Sequence, residues 1–275
     1  SREHTDMITS SNNAKVKQVV QWQTKAKERR KDHVFLAEGV RMCEEAPVKS
    51  VREVYLTEEL EQKLRQNAQN GDTAFWDKLQ QTGYETVSPE VFAKMADTQT
   101  PQGILTVLEQ PSYDLAQLLE QPDPLFLILE NLQDPGNLGT MIRTGEGAGI
   151  TGVIMNGQTV DIFNPKTIRA TMGSIFRVPF VYVPELSPVL TQMHEKGIHT
   201  YAAHLKGKEY YDSFSFREPT AFLIGNEGNG LTKEISDQSG QYLKIPMEGK
   251  VESLNASIAA ALLMYEAHRQ RSLNS

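Results

Sequence analysis

Apolar positions in this chain come in short continuous runs, separated by longer stretches of mixed apolar and polar character. That rhythm predicts strands alternating with helices, an α/β organisation. The pattern predicts a helix over residues 7–31, started by Ser10, Ser11 and Asn12, whose side chains favour helix caps. A strand followed by a helix is expected over 33–46, then a strand at 51–57. Residues 58–84 read as polar helix interrupted near Asn70-Gly71. A short strand at 84–88, a short helix capped by Ser88 and a strand at 103–110 complete an expected N-terminal α/β domain, residues 1–110. Residues 111–124 hold three prolines and few large apolar residues near their end, so a linker is placed at 111–123.

From residue 124 to 275 the alternation resumes. Strands are expected at 125–130, 152–156, 178–183, 199–205, 220–225 and 242–247, and helices at 137–148, 164–173, 187–197 and 231–238. A long final helix follows Asn255. Unbroken apolar strands of this kind suit a parallel sheet covered on both faces.

Composition narrows the class. The chain is 39% hydrophobic and 23% charged, an ordinary globular balance. No apolar run approaches the ~20 residues of a membrane span, and the N-terminal residues have no apolar core of a secretory signal. A single cysteine, Cys43, allows no intramolecular disulfide and is read as a packed core residue. A reducing cytoplasmic location is expected. The six histidines and one cysteine form no recognisable metal-ligand set, so no metal is expected. The net charge of −7 argues against indiscriminate nucleic-acid binding. It is unevenly spread, however. Between Lys15 and Lys31 lie seven basic residues and one acid, a local balance of +6. Such a cluster can neutralise phosphates, although a bare charge run is also an ordinary solvated face.

Three segments carry candidate chemistry. The first is ENLQDPGNLGTMIR at 130–143, where an apolar strand gives way to a turn and a helix behind Pro135 and Gly136. Asn137 and Arg143 near the helix start can position an anionic or polyhydroxyl ligand. The same residues also make an ordinary turn and cap. The second is FLIGNEGNGL at 222–231, in which Gly225, Gly228 and Gly230 allow a sharp turn and close approach to a ligand. No Lys-Ser/Thr follows, so it is not a phosphate loop. GEGAG at 145–149 sits inside a helix-to-strand passage and is not a dinucleotide fingerprint. The third is LKIPMEGKVESLNASIAAALL from 243, with Ser253 placed to cap the last helix. Small residues at Ala256, Ala259, Ala260 and Ala261 permit close helix packing.

Together, in this order, the three segments and the connecting TMGSIFRVPF at 171–180 resemble the motifs of the SpoU (TrmH-like) RNA 2′-O-ribose methyltransferases of the SPOUT superfamily. The phrases around Glu38-Gly39 and Gln102-Gly103 resemble that family's small N-terminal RNA-binding domain. The resemblance implies S-adenosylmethionine as cofactor, structured RNA as substrate and a homodimer. It also implies a parallel-sheet SPOUT domain closed by a deep trefoil knot. Arg143 is implied to act on the ribose 2′-hydroxyl, as base or as electrostatic clamp, with Asn137, Glu227, Ser253 and Asn255 as further catalytic positions. For Asn137 a helix cap has nearly equal weight, and for Glu227 the plain alternative is capping of neighbouring N–H groups. The implied cofactor wall comprises Ala203, His204, Leu205, Gly225, Asn226, Gly228, Ile245, Met247, Leu254 and Asn255, with His204 the weakest of them. RNA contacts are expected from Lys15, Lys25, Lys27, Arg29, Arg30, Lys31 and Arg41. Ribosomal RNA is favoured over transfer RNA. A base-methylating SPOUT enzyme and a degenerate RNA-binding assembly factor remain as alternatives.

Overall fold

The computed structural model describes residues 6–204 and 206–273. The chain divides into two compact units, each with its own core. One runs to Pro111 and takes in Phe163–Phe176; the other comprises Ser112–Ile162 and the chain from Arg177 onward.

The first unit opens with helices α1 (Ala14–Thr24) and α2 (Ala26–Asp32). The hydrophobic pattern predicts one helix here, but the chain breaks at Lys25, which is extended at φ −128°. The break is filled by a side chain of α2. Arg29 is buried, and its Nη1 donates to Trp22 O at 2.7 Å and Gln23 O at 3.4 Å, carbonyls at the end of α1. Carbonyls released at a helix end need such donors. The cap of α1 is Asn13, one residue beyond the predicted Ser10–Asn12, and its Oδ1 accepts from Lys15 N at 2.8 Å.

Strands β1 (Val34–Glu38), β2 (Val51–Leu56), β3 (Glu85–Thr86) and β4 (Ile104–Glu109) form a mixed sheet in the order β1-β4-β2-β3. Helices α3 (Val40–Glu45), α4 (Glu58–Gln69), α5 (Ala74–Thr82) and α6 (Pro89–Met95) complete the N-terminal part. Val16, Val19 and Trp22 pack against Leu36, Tyr55 and Leu105 in one cluster. Leu60, Leu64, Phe75 and Leu79 pack against Cys43 and Leu56 in another. Burial pushes the Cys43 thiol up to about 12, which fits the packed role the sequence predicts rather than a nucleophile.

Helix α9 (Pro165–Thr171) belongs to this unit, although the pattern assigns it to the C-terminal domain. The reason is aromatic. Phe163 and Phe176, at the two ends of the segment, lie 5.2 and 6.2 Å from Phe35 of β1, ring centre to ring centre.

The second unit is built on β5 (Leu125–Leu129), β6 (Gly152–Asn156), β7 (Phe180–Val183), β8 (His199–Ala203), β9 (Thr220–Ile224) and β10 (Gln241–Leu243). All pairings are parallel, in the order β10-β8-β9-β5-β6-β7. β5 and β9 are buried along their whole length, as central strands of a covered sheet must be. The helices are α7 (Leu115–Leu119), α8 (Pro135–Ala148), α10 (Ser187–Glu195), α11 (Lys233–Gln238) and α12 (Ala256–Ser272). α7 occupies the segment read as linker. Asp114 caps it, and Leu118 and Leu119 are buried in this unit's core.

α12 packs against α8 and β9, and its last turn is tied down by polar side chains. Gln270 bonds both Phe214 O at 2.9 Å and Phe216 N at 2.6 Å. The Arg271 guanidinium donates to four carbonyls, those of Phe216, Asp123, Pro124 and Glu218, at 2.7–3.2 Å. One side chain therefore joins the chain's last helix to the segment entering β5. Arg271→Met keeps the apolar stem but strands these acceptors. It is expected to cost about 2–3 kcal/mol in urea unfolding of the full chain. A loss below 0.5 kcal/mol, roughly that of an ordinary surface change, would show the clasp to be passive.

Candidate functional site

Parallel strands end together, and here the carboxyl ends of β5 and β9 lie side by side, Leu129 paired with Ile224. From β5 the chain runs outward through β6 and β7; β8 lies on the other side, beyond β9. Crevices at such a reversal are where open α/β sheets hold ligands. A cavity of about 360 Å³ lies there, within the ~300–1,000 Å³ of small-molecule sites.

Its wall comes from three loops. Ala203 ends β8 and His204 follows it; Gly225, Asn226, Glu227 and Gly228 follow β9; Ile245, Met247, Ser253 and Leu254 lie between β10 and α12. All but Glu227 and Ser253, which are expected as catalytic positions, belong to the expected cofactor wall. Leu205, also predicted, lies outside the described residues. Asn255 borders the cavity without lining it. His204 is fixed twice, stacked on Tyr242 with ring centres 4.6 Å apart and accepting at Nδ1 from Lys206 N at 3.0 Å. That leaves it a wall residue. Leu231 and Lys244 also line the cavity; both lie within the motif segments, but the sequence does not single them out as cofactor positions.

The three motif segments are bonded to one another. Glu227 accepts from Gln133 N and Asp134 N, both at 2.8 Å. Asn226 Nδ2 donates to Asn131 O at 2.8 Å, while its Oδ1 accepts from Gly228 N and Asn229 N. Its side chain is thus committed to shaping the loop. Glu130, buried at the end of β5, accepts from Thr232 N and Thr232 Oγ1, both at 2.8 Å. Nothing in the sequence marks Glu130 for this task beyond an acid ending an apolar strand.

Two predicted caps are displaced. Asp134, not Asn137, caps α8, its Oδ2 accepting from Asn137 N at 2.7 Å. Asn255, not Ser253, caps α12, accepting from Ser257 N at 2.8 Å and Ile258 N at 3.3 Å. Each displaced residue is thereby freed from the plain structural role. Ser253 is exposed on the cavity wall. Asn137 Oδ1 accepts from Asn255 Nδ2 at 3.2 Å, joining the first motif to the third.

Arg143 does not line this cavity. It is exposed on α8, with no ion-pair partner among the described residues. Thr140 and Gly147, at i−3 and i+4, share its side of the helix. That side borders a second hollow of about 760 Å³, lined by Thr140 and Thr144 of α8 and by Ile258, Leu262 and Tyr265 of α12. These three α12 residues are 52%, 37% and 45% exposed, large apolar side chains on one helical stripe.

Of the expected RNA contacts in the first unit, Lys25, Lys27, Arg30, Lys31 and Arg41 are exposed. Lys15 is exposed but paired with Glu85 at 3.0 Å. Arg29 is a correction: buried beneath the break between α1 and α2, it cannot meet RNA without unfolding that corner. Among the described residues no group of three His, Cys, Asp or Glu is placed to hold a metal ion, and no helix is long and apolar enough to cross a membrane.

Fold and site define an α/β domain with a cofactor-sized cavity at the carboxyl edge of a parallel sheet, joined to a second α/β unit. The model of the SpoU rRNA Methylase family matches residues 124–265, and that of the MRM3-like substrate binding domain matches residues 13–106. The chain belongs to the SpoU rRNA methylase family. It is 34% identical over 261 residues to the 23S rRNA (guanosine(2553)-2′-O)-methyltransferase RlmP of Bacillus subtilis, covering 94% of this chain and 97% of that one. Among solved structures it resembles the SpoU methyltransferase AviRb of Streptomyces viridochromogenes, with a TM-score of 0.80, 28% identity and coverage of 95% and 99%. It also resembles an AdoMet-bound rRNA methyltransferase of Sinorhizobium meliloti, with a TM-score of 0.81, 28% identity and coverage of 96% and 97%.

Proposed function

We propose that this protein transfers a methyl group from S-adenosylmethionine to a ribose 2′-hydroxyl of 23S ribosomal RNA. The observation that carries this reading is that the second and third motif segments wall one cavity with the end of β8, while the first motif segment is bonded to them through Glu227 and the Asn137–Asn255 pair. Two relatives named for ribosomal RNA, RlmP and the Sinorhizobium meliloti enzyme, cover both units, which favours that substrate over transfer RNA.

The residues present fit the cofactor. The cavity has the size of a small-molecule site, an apolar side from Ile245, Met247 and Leu254, and loops whose backbone comes close at Gly225. When bound, S-adenosylmethionine supplies a sulfonium methyl open to attack by oxygen. The chain's own part is placement and charge. Ile245 and Leu254 hold the apolar face of the ligand; Glu227 and Asn226 keep the loops from parting. Ser253 meets the reacting ribose at the cavity mouth. Arg143 clamps the neighbouring phosphate and stabilises the developing alkoxide, a role suited to a cation that stays protonated.

Arg143 serves the cavity of a second copy of the chain. Its position beside the apolar stripe of Ile258, Leu262 and Tyr265 supports a homodimer through α8 and α12. The segments after β8 and β10 form a deep trefoil knot, a reading supported by the return of α12 from the edge strand to β9 and α8. The enzyme works in the cytoplasm, where its RNA is.

Incubation with labelled S-adenosylmethionine and unmodified 23S ribosomal and transfer RNA, followed by nucleoside mass spectrometry, tests the proposal. A 2′-O-methylnucleoside in the ribosomal RNA alone is expected. Methylation on a base, or cofactor binding with no methylation of either RNA, would refute it. For the basic face, the double variant Lys27→Glu, Arg30→Glu is expected to weaken RNA binding and lower its salt slope by about two, one per lost phosphate contact. Equal loss of cofactor affinity would remove these residues from the RNA surface.

A further inference from the structure

The first unit carries a cleft of about 260 Å³ that the methyl-transfer chemistry does not use. Its walls come from separate parts of the chain: residues 38–42, residues 98–104, and α9 with the turn behind it. The third wall lies outside the span matched by the substrate-binding-domain model.

The cleft is built rather than incidental. Glu38 accepts from Gln23 Nε2 and Asp97 N, both at 2.9 Å, which sets the start of the 97–102 wall. Asp97 is in turn paired with Arg169 of α9. Gln102 Oε1 accepts from Val40 N at 2.8 Å, and among the described residues its amide N–H donors have no hydrogen-bond partner. Gly39, at φ +93°, lets the opposing wall close in: a Cβ there would stand 3.1 Å from Gln102 Oε1. The floor is apolar, from Met42, Ile104 and Met172. Met172 is held in the left-handed region at φ 50° and remains 38% exposed, an unusual placing for an apolar side chain. Arg41 stands at the rim with its side chain 70% exposed, and its nearest carboxylate, Glu45, is 3.7 Å away.

We propose that this cleft receives one unstacked nucleotide of the RNA, at a distance along the strand from the methylated ribose. This rests on the RNA-methyltransferase reading. Arg41 at the rim meets the phosphate, the thioethers and Ile104 form the bed for a base, and the Gln102 amide donates to the base edge. An apolar bed with a rim guanidinium and a few polar groups is how proteins take splayed-out bases of single-stranded or looped RNA. Because α9 and the turn behind it supply Arg169 and Met172, the N-terminal 111 residues alone hold an incomplete site.

The test uses the full chain and an in vitro transcript of 23S ribosomal RNA. Arg41→Ala removes an exposed side chain. Met172→Asn removes the apolar floor while suiting the left-handed backbone, so both variants are expected to fold. Each is expected to bind the transcript about tenfold more weakly, the worth of one stacked base or phosphate contact, with unchanged affinity for S-adenosylmethionine. In the wild type, bound RNA is expected to protect Met172 from mild peroxide oxidation. RNA affinity within twofold of wild type in both variants, with Met172 unprotected, would overturn the cleft alone and leave the methyltransferase reading standing. A wild type that binds no RNA would overturn both.

Discussion

Arg143→Ala is expected to lower methyl transfer by about 100- to 1,000-fold, the usual worth of one preorganised charge aimed at a developing oxyanion. Affinity for S-adenosylmethionine is expected to stay within twofold. The separation follows from geometry, because Arg143 lies on α8 and contributes nothing to the cavity wall. Its guanidinium is exposed and unpaired with any described carboxylate, so RNA need displace no ion pair to reach it. A fork of donors can hold phosphate and alkoxide together, which an ammonium cannot do. Arg143→Lys is therefore expected to recover only part of the rate. Single-turnover methylation of the 23S transcript, beside calorimetry with the cofactor, reads both quantities. Full activity of Arg143→Ala would end the assignment, and a parallel fall in cofactor affinity would move Arg143 into the cofactor site. If Arg143 serves a partner's cavity, mixing this variant with one that cannot hold cofactor restores activity, since some mixed dimers then carry one complete site.

How far the sequence discloses this site depends on the reach of each interaction. The strands of the second unit are legible because short, mainly apolar runs mark them, and β5 and β9 are buried along their whole length. The motif loops are legible because Gly225 and the 130–137 turn are chemically unusual. The bonds between them are not, since Glu227 and Gln133 are 94 residues apart in the chain. The caps illustrate a finer limit. Asp134 and Asn137, like Ser253 and Asn255, are all competent cap residues, and local chemistry gives each pair nearly equal claim. Tertiary bonding decides, since Asn137 and Asn255 meet across 118 residues. Charge misleads in a similar way. Arg29 sits in a run of basic residues, yet its chain folds back to satisfy carbonyls of the preceding helix. The placing of α9 with the first unit depends on Phe35, Phe163 and Phe176, three aromatic residues with no sequence pattern in common.

Gly225→Ala is expected to abolish cofactor binding, with Gly228→Ala as its control. The loop after β9 is closed by two reciprocal bonds, Asn226 N to Gly230 O at 3.1 Å and Gly230 N to Asn226 O at 2.8 Å. Closing it presses Gly225 against the far side. A Cβ at residue 225 would stand 2.2 Å from both Gly230 C and Leu231 N, which are backbone atoms that cannot swing aside. The loop must open, and opening draws Glu227 away from Gln133 and Asp134. The wall at 225–228 and the first motif loop are then lost together. Overpacking of this kind costs about 1–3 kcal/mol in folding, but the ligand depends on the loop itself, so affinity falls by more than stability. At residue 228 the same added methyl meets only Asn226 Oδ1, at an ordinary 3.5 Å. Gly228→Ala is expected to bind S-adenosylmethionine within about tenfold of wild type, even though residue 228 lines the same cavity. Calorimetry on the two variants separates a loop closed by backbone contact from a glycine-rich stretch needed only for flexibility. If flexibility were the requirement, both substitutions would weaken binding alike; if Gly225→Ala kept wild-type affinity, the close approach at Gly230 would not be what holds the cavity open to its ligand.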